Sequence, residues 1–373
     1  MKSPSSVVAM DTDLGRAERI VVGSMIVAPG ATASSLAWLD RLDFADPVCR
    51  RIFAATARLR EAARAVDEVT LGVALARGGD LGAAREVAQL AAEVPSPASA
   101  GYYAAHVLAG SIRRQVLAAG QRLAGVRPGP AEDVLELAAG ERARIEGGLR
   151  RWRQARRSFA GTSVSLPAEG RLPLRRPNGS ERAGDGGERL VERVTVGTLL
   201  LAPERLGEVA GWLSVGDFAD PTCAAAYRAI GELTAQRLPA DPAAVLATLG
   251  RADLPGVDGI ALFRLIESVP VPASLDAYGR LVVEAALART TRAAGLRVLQ
   301  TGCRGGDPDE LLPGALAHTD PLTQLPARWQ RSHPPGPTRL AHLLPPTVAQ
   351  IADTGRLEPA AHPVVPAGRS LGR

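Results

Sequence analysis

The chain repeats itself, and no other feature constrains its fold as strongly. Displacing the 373-residue sequence by 174 residues places Glu18-Arg19 on Glu192-Arg193, Val22-Gly23 on Val196-Gly197, Ala28-Pro29 on Ala202-Pro203 and Trp38-Leu39 on Trp212-Leu213. The block Asp43-Phe44-Ala45-Asp46-Pro47 falls on Asp217-Phe218-Ala219-Asp220-Pro221, and Cys49, Phe53, Leu59 and Asp67 fall on Cys223, Tyr227, Leu233 and Asp241. After one inserted residue Val94-Pro95 meets Val269-Pro270 and Tyr103 meets Tyr278. Five consecutive identities beside two paired tryptophans mark a duplicated domain.

Each copy reads as helices. Aromatic residues are only 3% of the chain while hydrophobic residues are 46%, so the cores must be built from Ala, Leu and Val, a composition that favours helix over sheet. A first helix over 14–27, matched by 188–201, stops at Pro29 and Pro203. Gly23 and Gly197 sit inside it, where glycine costs about 1 kcal/mol relative to alanine, and point to close approach of another helix. Asp46-Pro47 and Asp220-Pro221 combine a capping carboxylate with a residue that has no amide to lose, so each opens the next helix. In these helices Cys49, Ile52, Phe53, Thr56 and Leu59, and again Cys223, Ala226, Tyr227, Ile230 and Leu233, recur at helical spacing and predict a buried stripe. Asp67 and Asp241 cap a further helix, and Gly78, Gly79 and Gly82 read as a turn. Long helices over 101–123 and 131–157, separated by Val126-Arg127-Pro128-Gly129-Pro130, predict a hairpin. In the second copy, 276–301 and a shorter helix to His318 do the same.

The expected fold class is therefore all-α, with two repeated helical-bundle domains, each carrying a helical hairpin, at 14–157 and 188–318. A Gly/Pro/Arg-rich flexible linker over 158–187 joins them, and a proline-rich tail over 319–373 is expected to be disordered.

Most chemistries are not written in the sequence. Lys2 is the only lysine and no Gly-Lys pair exists, so the phosphate loop of a nucleotide-driven motor is not expected. Arginine, planar and bulky, does not replace that lysine. His106, His318, His333, His342 and His362 form no ligand-spaced pair, and Cys49, Cys223 and Cys303 lie far apart, so neither a metal nor a cofactor is expected. The odd, sparse cysteines fit a reducing compartment, and neither a membrane-spanning run nor a signal core is read, which gives a cytoplasmic expectation. Recurring carboxylates, Glu93 with Glu267 and Asp43 with Asp217, read as caps and turn contacts before catalytic groups. No catalytic residue is assigned, and the chain is expected not to be an enzyme.

The order of features resembles the N-terminal domain of DnaB-type replicative DNA helicases. An acidic residue precedes Val-Gly (Glu18, Val22-Gly23), and Asp43-Phe44 precedes a helix with Ile52-Phe53. Then come Asp67 with Thr70-Leu71, Gly79-Asp80-Leu81, the loop from Pro95 to Ala98, Tyr103 and the hairpin. The first copy carries the pattern better than the second. The resemblance implies a helical head and hairpin that self-associates into a collar and helps recruit primase and loading factors. It also implies two departures, since the motor is not read and the head is read twice.

Two surfaces follow. Trp38, Phe44, Cys49 and Phe53, with Trp212, Phe218, Cys223 and Tyr227, are assigned to the repeat core, the tryptophans being alternatively anchors of a contact between domains. Arg150, Arg151, Trp152, Arg153, Arg156 and Arg157 form the candidate nucleic-acid contact, with Arg142 and Arg144 before them and Arg171, Arg175, Arg176 and Arg182 in the linker beyond. The competing reading is a solvated helix end, where arginine is favoured by the helix dipole. The first functional expectation is a non-catalytic interaction module of DNA replication that binds a replicative helicase, a primase or a helicase loader, with self-association. The second is a nucleic-acid-binding protein acting through the arginine-rich hinge.

Overall fold

In the computed structural model the described residues are 5–33, 37–159, 164, 166, 181–250, 258–270 and 274–333. Among them the secondary structure is helical, apart from an isolated bridge between Leu166 and Gly306. The first repeat contributes α1 (Ser5–Val27), the single turn α2 (Pro29–Thr32), α3 (Pro47–Glu61), α4 (Glu68–Arg77), α5 (Leu81–Ala92), α6 (Ala100–Ala124) and α7 (Ala131–Arg156). The second contributes α8 (Glu181–Leu201), the single turn α9 (Leu206–Val209), α10 (Pro221–Ala235), α11 (Pro242–Gly250), α12 (Gly259–Glu267), α13 (Leu275–Arg304), α14 (Pro308–Thr319) and α15 (Leu325–Ser332).

The local rules read from the sequence act in pairs. Asp46 accepts from the Val48 amide and Asp220 from the Thr222 amide, both at 2.8 Å, with proline at the first helical position of α3 and α10. Asp67 and Asp241 receive the Thr70 and Ala244 amides, also at 2.8 Å. Gly79 adopts a φ of 82°, the left-handed conformation that glycine takes without steric cost, and so turns the chain between α4 and α5. Gly82, expected in that turn, lies inside α5, because Asp80 accepts from the Ala83 amide and starts the helix earlier.

Glu18 is buried on α1 and accepts the amides of Ala45 and Asp46 at 2.7 and 2.8 Å. Glu192 on α8 repeats this with Ala219 and Asp220, both at 2.8 Å. Burial pushes the Glu18 carboxyl up, and the two amides pull it back. One step further along each helix sits the glycine. A Cβ at Gly23 would strike the carbonyl oxygen of Leu90 and lie 2.6 Å from a Val94 methyl. A Cβ at Gly197 would strike the Leu265 carbonyl oxygen and lie 2.7 Å from a Val269 methyl. The close helix approach expected from these glycines is α1 against α5 and α8 against α12.

The chain divides into two compact units. One comprises residues 1–127, 132–176 and 288–326, and the other 128–131, 177–287 and 327–373. The first unit thus holds the first head and hairpin together with the second half of α13 and α14. Within it four helices form a bundle. Helices α6 and α13 run antiparallel at very short range: a Cβ at Gly120 would lie 2.8 Å from the Leu299 amide nitrogen, one at Gly295 2.6 Å from the Leu123 carbonyl carbon, and one at Gly302 2.7 Å from a Leu117 methyl. Helix α7 lies along α14, with Trp152 at Asp309 and Arg142 at Thr319 marking opposite directions. Val116, Ile145, Trp152, Val298, Leu311, Leu312 and Ala315 join the same buried cluster.

The second unit contains α8, α10, α11 and α12, the start of α13, and α15. Its buried centre includes Val196, Leu199, Cys223, Ile230, Val245, Leu262, Leu265 and Val282.

Residues 319–333, expected to belong to a disordered tail, are instead ordered into helix and turn. Residues 320–324 form a 3-10 turn and α15 runs to Ser332, with Leu322 and Leu325 buried. Proline content suggested disorder there, but Pro321 sits in the first turn of its helix, where a missing amide costs nothing. Residues 334–373, and 158–187 apart from 158, 159, 164, 166 and 181–187, lie outside the described residues.

Candidate interaction site

The feature that ties head to hairpin is a buried carboxylate in the repeated Asp-Phe corner. Asp43 is fully buried at the end of a 3-10 turn, Arg41–Asp43, and accepts the Asp40 amide at 2.7 Å. Ser111 of α6 donates its hydroxyl at 2.7 Å, and Arg151 of α7 grips both carboxylate oxygens. Arg114 of α6 donates to the Asp43 carbonyl, and Arg151 also reaches the Trp38 carbonyl at 3.0 Å. One short acidic turn is therefore bonded to both helices of the hairpin.

Asp217 closes the equivalent turn, Val215–Asp217, and accepts the Ser214 amide and hydroxyl at 2.7 and 2.8 Å. It is fully buried and paired with Arg328 of α15. Burial pulls the Arg328 guanidinium below its usual range, and Arg331 adds to that. Arg151-Trp152 and Arg328-Trp329 are thus equivalent, and the repeat continues past His318. The signal was present in the sequence as a second Arg-Trp dipeptide, hidden by a further change of register and by Pro321 and Pro326.

The arginine cluster separates into two groups. Arg142 bonds Thr319, Asp320 and Glu146, Arg144 and Arg122 share the buried Glu141, Arg151 holds Asp43, and Arg156 pairs with Asp309 at 3.1 Å. Arg150, Arg153 and Arg157 are exposed and form no ion pair or hydrogen bond among the described residues. Trp152, assigned from sequence to the nucleic-acid contact, is 0% exposed. Its indole donates to Asp309 at 2.7 Å and its ring meets Phe159 at 5.4 Å, so it packs the bundle and offers no face for a base. Arg171, Arg175 and Arg176 lie outside the described residues, as does the Arg182 side chain.

Among the repeat-core residues Phe44, Cys49, Phe53, Phe218, Cys223 and Tyr227 are buried, with Phe44 against Phe53 at 4.9 Å and Phe218 against Tyr227 at 5.1 Å. Tyr227 satisfies its hydroxyl on the Leu213 carbonyl at 2.9 Å, and burial pushes it up to about 12. Trp38 and Trp212 are only half-buried. Trp38 meets Phe159 in a tilted ring contact at 5.5 Å, and Trp212 covers Gly279 while its indole donates to the Glu208 carbonyl. Both therefore lie at the edge of the core, unlike the fully buried Trp152.

Burial pushes the thiols of Cys49 and Cys223 far up, with Asp46 and Asp220 adding to it. A thiol-specific disulfide reagent at neutral pH is expected to titrate only the half-buried Cys303 in the native protein, and all three cysteines after denaturation. Rapid native reaction of two or more would contradict the packing described. No group of three or more metal-ligating side chains occurs among the described residues, and no described helix is long and apolar enough to cross a membrane.

A family model, DnaB-like helicase N terminal domain, matches the chain twice, over residues 12–109 and 188–284. Over 131 residues the chain is 36% identical to the replicative DNA helicase DnaB of Mycobacterium leprae (strain TN), covering 34% of this chain and 22% of that protein. The match thus spans about a fifth of that relative's length. The crystal structure of the N-terminal domain of DnaB helicase from Mycobacterium tuberculosis matches at 30% identity with a TM-score of 0.31, covering 35% of this chain and 95% of that one.

Proposed function

The chain belongs to the DnaB-like helicase N-terminal domain family, matched in both copies, and from that membership we propose that it is a non-catalytic protein–protein interaction module of DNA replication. It binds a replicative helicase, a primase or a helicase loader, and acts on that partner as a regulator or scaffold.

The observation that carries this reading is the shared bundle. Helices from both copies pack as α6 on α13 and α7 on α14, with glycines at three closest approaches. A self-associating helical hairpin, the property implied by the family resemblance, is here paired within one chain. The lack of any Gly-Lys pair supports a role without nucleotide turnover.

Light scattering on the purified chain is expected to give the mass of one chain. Calorimetric titration with the replicative helicase and the primase of the same host is expected to give a saturable complex with at least one of them. Phosphate release from ATP, with and without DNA, is expected to stay at background. No binding to either protein at micromolar concentration, or turnover above background, overturns the proposal.

A further inference from the structure

We infer that Arg150, Arg153 and Arg157 form a contact stripe for the phosphodiester backbone of a nucleic acid. Seven of the chain's arginines, at positions 142, 144, 150, 151, 153, 156 and 157, crowd one 16-residue stretch from 142 to 157. Four of the seven are committed to carboxylates of the fold. The other three are exposed, and their spacing of i, i+3 and i+7 puts them on one side of the end of α7 and its following turn.

The repeat supplies an internal control for what the fold itself needs. Arg151, which holds a buried carboxylate, has its counterpart in Arg328, which does the same. In that register Arg150, Arg153 and Arg157 correspond to Ala327, Gln330 and Pro334. The second copy folds its corner without them, so neither the corner nor the end of the hairpin requires these charges. The preference for cations near a helix C-terminus is met in the second copy by Arg331 in the last turn of α15, so it does not call for three further exposed arginines.

The spacing fits a polyanion. At ~1.5 Å per residue the three guanidinium groups are distributed over ~10 Å, which is about three phosphates of one strand at ~3.4 Å each. Guanidinium groups are weakly hydrated and donate in pairs to phosphate oxygens. With Trp152 buried, the stripe has no ring for stacking, so it reads backbone charge and not base sequence. Arg171, Arg175 and Arg176 follow in the chain and add charge of the same sign.

The test uses the full chain, a triple variant with Arg150→Ala, Arg153→Ala and Arg157→Ala, and the corresponding triple lysine variant. Fluorescence anisotropy with a labelled single-stranded DNA of mixed sequence and with the same sequence as a duplex is followed from low to physiological salt. Three phosphate contacts give a log–log salt slope of about −2.7 on duplex and about −2.1 on a single strand. The native chain is therefore expected to lose about 40-fold more duplex affinity than the alanine variant between 50 and 200 mM salt, from that slope. The lysine variant is expected to keep most of the slope, and all three proteins to melt together because the side chains are exposed. An unchanged slope in the alanine variant overturns the inference. So does capture of poly-glutamate in place of either DNA, which would assign the stripe to an acidic protein. The inference stands apart from the proposed function: the alanine variant is expected to retain helicase or primase binding.

Discussion

Gly197→Ala is expected to lower the free energy of unfolding by about 3 kcal/mol or more, the upper range for forcing volume into a packed interior. The added carbon would meet the backbone carbonyl of Leu265 and a Val269 methyl, and a backbone oxygen cannot rotate away as a side chain can. Relief requires α8 and α12 to separate, which would uncover Leu199, Leu262 and Leu265. Gly23→Ala is expected to behave alike through Leu90 and Val94. Gly216→Ala, with open space around its Cβ position, serves as the control and is expected to stay within about 0.5 kcal/mol of the native protein. Urea denaturation followed by circular dichroism measures all three. Equal midpoints for Gly197→Ala and Gly216→Ala would refute the helix contact.

Arg151→Met and Arg328→Met are each expected to cost about 3 kcal/mol, because either leaves a buried carboxylate without its counter-ion. Most of the loss is the penalty on the abandoned charge. Adding Asp43→Asn to Arg151→Met, or Asp217→Asn to Arg328→Met, is therefore expected to restore part of the stability, and a double-mutant cycle reads the coupling. Simple additivity of the two changes would show that the pairs carry no interaction. Arg150→Ala, exposed and one residue away, is expected to be neutral toward stability.

The duplication, the proline-assisted starts of α3 and α10, the glycine contacts and the long hairpins were legible because each is a local signal. A cap needs one carboxylate and an amide two or three residues on, and a repeat needs only identity at a constant offset. The partners of the arginines were not legible. Nothing in the composition of α7 says that Arg151 meets Asp43, which lies 108 residues earlier in the chain, while its neighbour Arg150 faces water. The burial of Trp152 was missed for the same reason, since its indole partner Asp309 belongs to the other copy and lies 157 residues away. Prolines misled at the C-terminal end. Pro313 lies inside α14 without breaking it, the 3-10 turn that carries Pro321 separates α14 from α15, and α14, that turn and α15 still bury Leu312, Leu322 and Leu325.

The pairing of α6 with α13 has a consequence in mass action. Hairpins on separate molecules part when diluted below their dissociation constant, whereas tethered ones meet at an effective concentration on the order of millimolar set by the connecting chain. A cell that makes only a few copies of this chain would still hold every bundle assembled.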